Sequence, residues 1–351
     1  MTSFLLKAGF YQCDAELAIF IRSLDNKFLI LLLFVDDILL TGTPRRFLGI
    51  HIKHRNGKVI LHQKAYIQRI LERFNAPTNP VATPLDPKHP LVEATNAESL
   101  NETDALEYRA AVGALIYLMI YTRPDLAFAL SRLSKFVQKP GIKYAAALKR
   151  VLRYLAGTQN LGIAYCKSYS NDSVLYGYSD SDFAADLNNR RSTSGFIFLL
   201  NGGPISWKSK QQSLITSSTH DAEYIGLATA SYEYAEHTMP SNTIHCDNQG
   251  AIATANQPSH SLSTRSKHID IRFHVIREAI ANSLIRLEYI RTTEMTADIL
   301  TKALLKELHE RHWEEPSQSD AFGEIPDEWE CQRATPVNLP PARINYVLRV
   351  M

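Results

Sequence analysis

Apolar residues run almost unbroken through FLILLLF and resume as ILL, with only Val35, Asp36 and Asp37 between them. Apolar runs on both sides of a polar dipeptide predict two buried strands joined by a tight turn, with Asp36 and Asp37 at the hairpin tip. FLGIHIKHRNGKVILHQ predicts a second hairpin, Phe47 to Ile52 and Val59 to Leu61, about a type I′ turn at Asn56 and Gly57. KAYIQRILERF has helical periodicity. NAPTNPVATPLDPKHP holds five prolines in 16 residues and reads as a linker. From Asp104 to Thr158 the pattern is helical three times over, with Thr103 or Asp104 as the first cap, Pro124 near the second start and Gly157 at the third end. The period then changes. SVLYGYSD, TSGFIFLL and PISWKSK predict a meander of three strands, SSTHDAEYIGLATASYEYAEHT a helix and TIHCDN a fourth strand. NQGAIATAN and KHIDIRFHVIREAIANS predict helices, IRLEYIRT a fifth strand and TADILTKALLKELHERHW a last helix, giving the order βββαβααβα.

These elements predict a mixed α/β protein in four segments: 1–75 with the hairpins, 76–160 with the linker and helices, 161–312 with the five-strand unit, and an irregular tail at 313–351. The length of 351 residues and 45% hydrophobic content suit about two to three folded domains. Lys plus Arg number 38 against 36 Asp plus Glu, so any site for a polyanion must be local. Four cysteines with no C-x-x-C pair argue against a zinc ribbon and a disulfide scaffold. The apolar run at 28–35 is too short to span a bilayer, and the N-terminus shows no signal peptide. An intracellular protein, in cytoplasm or nucleus, is expected.

Carboxylates fall at element ends in the β-rich segment. Asp180 ends the first strand, Glu223 lies in the first turns of the next helix, Asp247 ends the fourth strand, and Asp298 opens the last helix. If the first and fourth strands are neighbours, these acids gather, and gathered carboxylates repel unless divalent cations bind between them. Two magnesium ions so held activate a water and stabilise a leaving oxygen in phosphodiester hydrolysis. Asp247 has a simpler rival role, capping the helix that begins at Asn248. Asp182 and Asp186 are expected to be loop or capping carboxylates.

YSDSDFAAD, RRSTSGFIF, ISWKSKQQ, SSTHDAEYIGLA, IHCDNQGAI, RSKHIDIRFHVIRE and TADILTKAL, in this order and spacing, closely resemble the ribonuclease H domain of copia-type retrotransposon polyproteins. FVDDILLTG, FLGIHI, QKAYIQRILERF, PVATPL, YRAAVGALIYL, TRPDLAFALSRLS and LKRVLRYLAGT resemble the second half of the reverse transcriptase of the same elements. The resemblance covers about residues 4 to 305. It implies a truncated polymerase palm, a helical thumb or connection, and a ribonuclease H-like five-stranded mixed sheet with flanking helices. It further implies Asp180, Glu223, Asp247 and Asp298 as catalytic metal ligands for two Mg2+ ions, Mn2+ being an alternative, and an RNA–DNA hybrid as substrate. Asp36 and Asp37 resemble the paired aspartates of the polymerase hairpin. Trp207, Lys208, Lys210, Asn248 and Lys267 are the positions expected to meet the hybrid, with plain surface or packing roles as the alternative.

Departures from the family bound the activity. The chain begins shortly before the hairpin, so the third palm aspartate and the fingers are expected to be missing. TGTPRR then leads straight to FLGI where a further palm helix is usual. The Asp36–Asp37 pair is therefore expected to be vestigial and primer extension by this chain alone is not expected. Tyr144 stands where a histidine is usual, and His220 and Asp221 replace Thr-Glu before Ala222. The stretch ASYEYAEHTMPSNTIHCDN is short for the family. Hybrid cleavage is the expected activity; a catalytically silent retroelement relic with weak or no nucleic-acid binding is the alternative.

Overall fold

Hairpins build the first part of the chain. The computed structural model describes residues 49–55, 58–92, 99–166, 175–235, 242–257 and 276–314, and strand segments at 11–12, 19–24, 27–34, 37–42 and 46–47. β1 (Tyr11–Gln12), β2 (Ile19–Leu24), β3 (Lys27–Phe34) and β4 (Asp37–Gly42) form an antiparallel sheet in chain order. Phe34 pairs with Asp37, so β3 and β4 join through two residues, the hairpin that the interrupted apolar run predicts. Asp37 opens β4; Asp36 lies outside the described residues. β5 (Arg46–Phe47), β6 (Ile50–Arg55), β7 (Lys58–His62) and β8 (Ile163–Cys166) form a second sheet. Arg55 pairs with Lys58 across the expected turn, whose Asn56 and Gly57 lie outside the described residues.

β8 pairs with β7, so the chain returns to the first segment's sheet just beyond the boundary expected at 160/161. The return depends on Gly162, where a Cβ would lie 2.4 Å from the Leu61 carbonyl oxygen. It covers β7 with Ile163, which is buried with Val59, Leu61 and Tyr121.

Between these strands lie α1 (Lys64–Arg73), α2 (Glu102–Tyr121), α3 (Ala127–Ser134) and α4 (Ile142–Gly157). The α2 cap is Asn101, which accepts the Asp104 amide at 2.8 Å and precedes the expected Thr103 or Asp104 in the chain. Ile67, Leu115, Leu118, Val151 and Leu155 are the centre of one apolar core. Tyr144 is buried there, stacked on Phe136 at 4.0 Å with its hydroxyl donating to the Val92 carbonyl. The fully buried Arg123 donates to Asp125 at 2.7 Å and to Thr158 Oγ1 at 2.7 Å, tying the α2–α3 turn to the end of α4. No helix among the described residues is long and apolar enough to cross a membrane.

The third sheet has the order β11-β10-β9-β12-β13, from β9 (Leu175–Ser181), β10 (Thr193–Leu200), β11 (Gly203–Gln211), β12 (Asn242–Cys246) and β13 (Arg286–Tyr289). β9, β10 and β11 are an antiparallel meander; β12 runs parallel to both β9 and β13. A parallel return needs a crossover, and α5 (Thr219–Ala235) supplies it. α5, α6 (Gln249–Ala255) and helical residues 276–281 cover one face, burying Phe196, Phe198, Tyr224, Leu227, Ile244 and Ile276. On the other face Tyr178, Ile197 and Leu199 meet Ala127 of α3 and the segment 295–304. This mixed sheet with flanking helices is the ribonuclease H-like arrangement that the resemblance implied.

The last element also differs from expectation. The last helix is broken into a 3₁₀ turn, Thr296–Leu300, and α7 (Lys306–Glu314). The break is tertiary in origin: residues 295–301 are buried, and Leu300 and Thr301 press onto the strand at Gly195, where a Cβ would stand 2.7 Å from Leu300 Cβ. The last turn of the expected helix KHIDIRFHVIREAIANS is present at 276–281; its beginning and the tail beyond 314 lie outside the described residues.

Candidate metal centre

Parallel pairing of β9 and β12 puts their C-terminal ends side by side, the end of a sheet where α/β folds collect ligands. Asp180 sits at the end of β9 and is buried; Asp247 follows β12 and is half-buried. Glu223 arrives from α5, whose start is set by Ser218 Oγ accepting the Asp221 amide at 3.1 Å. Gln212 adds a buried tie from the sheet to the helix, donating to Ser194 Oγ at 2.8 Å and to the Ala222 carbonyl at 2.9 Å. At Gly226 the helix touches the strand: a Cβ there would fall 2.4 Å from Ser181 Oγ. Positions 223 and 226 share a helix face, so this approach brings Glu223 against the end of β9. Asp298 comes from the 3₁₀ turn. The four acids therefore converge from four elements.

Burial pushes the Glu223 carboxyl far above the carboxylate range, and Asp180 and Asp247 push it further, against opposition from Lys302 and the Ser181 amide. Its Oε2 is buried with no hydrogen-bond partner among the described residues. Burial and then Asp180 likewise raise Asp298, with Lys302 opposing. Lys302 Nζ lies 2.8 Å from Asp298 Oδ1 and 3.6 Å from Asp180 Oδ2. Burial alone would lower the Lys302 ammonium, but Asp180 and Asp298 outweigh it and raise it. Thr301 Oγ1 donates to Asp180 Oδ2, and Thr292 Oγ1 to Asp247 Oδ2 at 2.7 Å. Donor atoms of Glu223, Cys246 and Asp247 lie within 4.8 Å of one another. Burial, followed by Glu223, pushes the Cys246 thiol up.

Hard carboxylate oxygens with one buried lone oxygen fit magnesium or manganese. The capping role considered for Asp247 belongs to Asn248, whose Oδ1 accepts the Ala251 amide at 2.9 Å. Trp207 packs toward α2, its Nε1 donating to the Met119 carbonyl at 3.2 Å. Lys208 and Lys210 are exposed on the same side of β11, with Lys208 3.6 Å from Glu233. Lys267 lies outside the described residues. Asp182 accepts the Thr193 amide at 2.6 Å and serves its loop; Asp186 accepts the Asn188 amide at 2.9 Å and in addition is bound by Arg132 and Lys135, beyond the loop role expected of it. Lys302, Thr301 and Thr292 are the site residues that the sequence reading passed over. A lysine four residues after Asp298 was the available signal, though it equally describes an ordinary helical ion pair.

The sheet and its gathered acids define a ribonuclease H-like domain. The chain belongs to the retrovirus-related Pol polyproteins of copia-type transposons: it is 36% identical over 324 residues, 81% of its length, to that of transposon TNT 1-94 of Nicotiana tabacum. It is also 36% identical over 340 residues, 87% of its length, to that of transposon RE1 of Arabidopsis thaliana. It spans about a quarter of these relatives, 24% and 22%. An uncharacterized mitochondrial protein of Arabidopsis thaliana is 34% identical over 227 residues, 58% of this chain and 92% of that relative. No family model matches. Among solved structures, RNase H1 of Halobacterium salinarum NRC-1 is 15% identical and covers 36% of this chain and 93% of its own, at a TM-score of 0.28. A foamy viral protease-reverse transcriptase is 14% identical and covers 59% of this chain and 42% of its own, at a TM-score of 0.27. Scores this low add nothing to the topology.

Proposed function

We propose that this chain hydrolyses the RNA strand of RNA–DNA hybrids in a divalent-metal-dependent reaction and does not polymerise DNA alone. The observation that carries the reading is the convergence of Asp180, Glu223, Asp247 and Asp298, with the Glu223 Oε2 buried and unpartnered. These four would hold two Mg2+ ions, or Mn2+, which supply an activated water and a stabilised leaving oxygen. Thr301 and Thr292 would orient Asp180 and Asp247 for that role, each by donating one hydrogen bond. Lys302 balances the Asp180–Asp298 side. The hybrid would be recognised by backbone shape and the 2′-hydroxyl. Lys208 and Lys210, exposed on β11, suit sequence-independent phosphate contact, with Lys267 and Asn248 as further candidates. Trp207 is committed to α2 through its Nε1 and would act by positioning that strand.

The test is a labelled hybrid with Mg2+ and an Asp180→Asn control. Cleavage by the native chain alone supports the reading. Equal cleavage by both points to a contaminant, and none by either identifies a silent relic. Primer extension by this chain alone would overturn the vestigial reading of Asp36 and Asp37.

A further inference from the structure

Cys246 is fully buried at the end of β12, immediately before Asp247. Its Sγ belongs to the trio with Glu223 and Asp247 whose donor atoms lie within 4.8 Å of one another. The Asn248 amide donates to Sγ at 3.4 Å, so the sulfur sits at a fixed place beneath the cap of α6. Glu223 is 7% exposed, and its Oε2 has no partner among the described residues. Two oxygens and a sulfur are a poor set for magnesium and a good one for a thiophilic ion. We propose that Glu223, Cys246 and Asp247 form a second mode of metal binding, taking a thiophilic divalent cation of the zinc or cadmium class.

Metal–sulfur bonds of about 2.3 Å and metal–oxygen bonds of about 2.0–2.2 Å put tetrahedral donors roughly 3.5 Å apart, so the trio must close by about an ångström. Half-buried Asp247 is the approach from solvent, and a water completes the fourth position. On binding, the Sγ–H bond breaks and the proton passes to buffer as the sulfur–metal bond forms; no electrons change hands. The ligand trio stands on geometry alone. Its consequence rests on the proposed function: two ligands are shared, so the thiophilic ion displaces magnesium and stops cleavage.

The experiment titrates Cd2+ alone into the metal-free full chain and follows sulfur-to-cadmium charge-transfer absorption, with Cys13, Cys166 and Cys331 as a constant background. The absorption of a single thiolate is expected to be missing from both Cys246→Ser and Cys246→Ala. Glu223→Gln, which keeps the thiol, is expected to bind cadmium more weakly by at least the roughly 10-fold that loss of a mere outer-shell partner costs. Magnesium affinity by calorimetry is expected to change less than about threefold in Cys246→Ser, because a thiol is no ligand for it. Identical cadmium spectra for native chain and Cys246→Ser overturn the proposal, as does an equal loss of magnesium affinity. A cadmium–thiolate signal in a chain that cleaves no hybrid would sink the nuclease reading and leave this site standing; cleavage with no such signal would do the reverse.

Discussion

Glu223 is held where a carboxylate is least comfortable, buried and facing Asp180 and Asp247. Its folded-state pKa is raised by burial first and by those neighbours next, so the folded chain binds this proton more tightly than the unfolded chain does. Stability of the metal-free protein must then fall as pH rises above the unfolded value, about 4.3, toward the raised folded value. Glu223→Gln removes the titrating group while keeping its shape. In EDTA this variant is expected to melt higher than the native chain at neutral to alkaline pH, to show a flatter pH dependence of melting, and to lose cleavage. A lower melting point at every pH would contradict the account. Lys302 acts in the opposite sense, offsetting Asp298 at 2.8 Å and Asp180 at 3.6 Å. Its pKa is raised, so its contribution persists below the unfolded lysine value and is lost only in strong alkali. Lys302→Met is expected to lower the melting temperature in EDTA and to enlarge the rise on adding Mg2+, since the cations lose an internal competitor. An unchanged magnesium increment would show that Lys302 lies outside their balance.

Two elements are aimed by glycine. α5 meets β9 at Gly226, and the 296–300 turn meets β10 at Gly195; in both places a Cβ would fall inside contact distance. Gly226→Ala is expected to cost about 1–3 kcal/mol by overpacking, read by urea denaturation in EDTA, and to weaken magnesium binding because Glu223 rides on the same face. Destabilisation with unaltered magnesium affinity would mean that the approach supports the fold and not the site. Such contacts mark what the sequence could show. The order of the five strands and the gathering of Asp180, Glu223, Asp247 and Asp298 were legible, because period-2 alternation, caps and element ends are local signals and the motifs matched in order. The 3₁₀ turn at Asp298 was not, because TADILTKAL has good helix formers and only the pressure of β10 on Leu300 and Thr301 breaks it. β8 is missing from the expected elements for a similar reason: IAYC is a short apolar run whose partner, β7, is about a hundred residues away.

At the scale of the molecule, one carboxylate joins the helical region to the nuclease-like sheet. Asp186, 1% exposed, receives Arg132 Nη1 at 2.5 Å and Lys135 Nζ at 2.9 Å from the helical region, and Gln211 Nε2 at 2.7 Å from β11. Burial alone would raise its pKa, but Lys135, the Asn188 amide and Arg132 outweigh burial and hold it below the ordinary carboxylate range. The clasp therefore stabilises the fold fully above the unfolded pKa of about 3.9 and is lost as pH falls through the folded value. Its sign is opposite to that of Glu223, so the metal-free chain is expected to be most stable in mildly acid solution, where Asp186 is charged and Glu223 is not. The same seam holds Trp207, hydrogen-bonded to Met119, which gives its opening an optical reporter. Asp186→Ala leaves two cations beside a buried gap, a change that costs about 3–5 kcal/mol when a buried pair loses one partner. Urea unfolding at neutral pH is expected to show that loss. Tryptophan emission should then change at a lower urea concentration than the far-ultraviolet signal, as the helical region lifts from β11 before the sheet unfolds. Coincident transitions with a shift below about 0.5 kcal/mol, the size of an ordinary surface substitution, would show that apolar packing of Ala127, Ile197 and Leu199 holds the two regions together without the clasp.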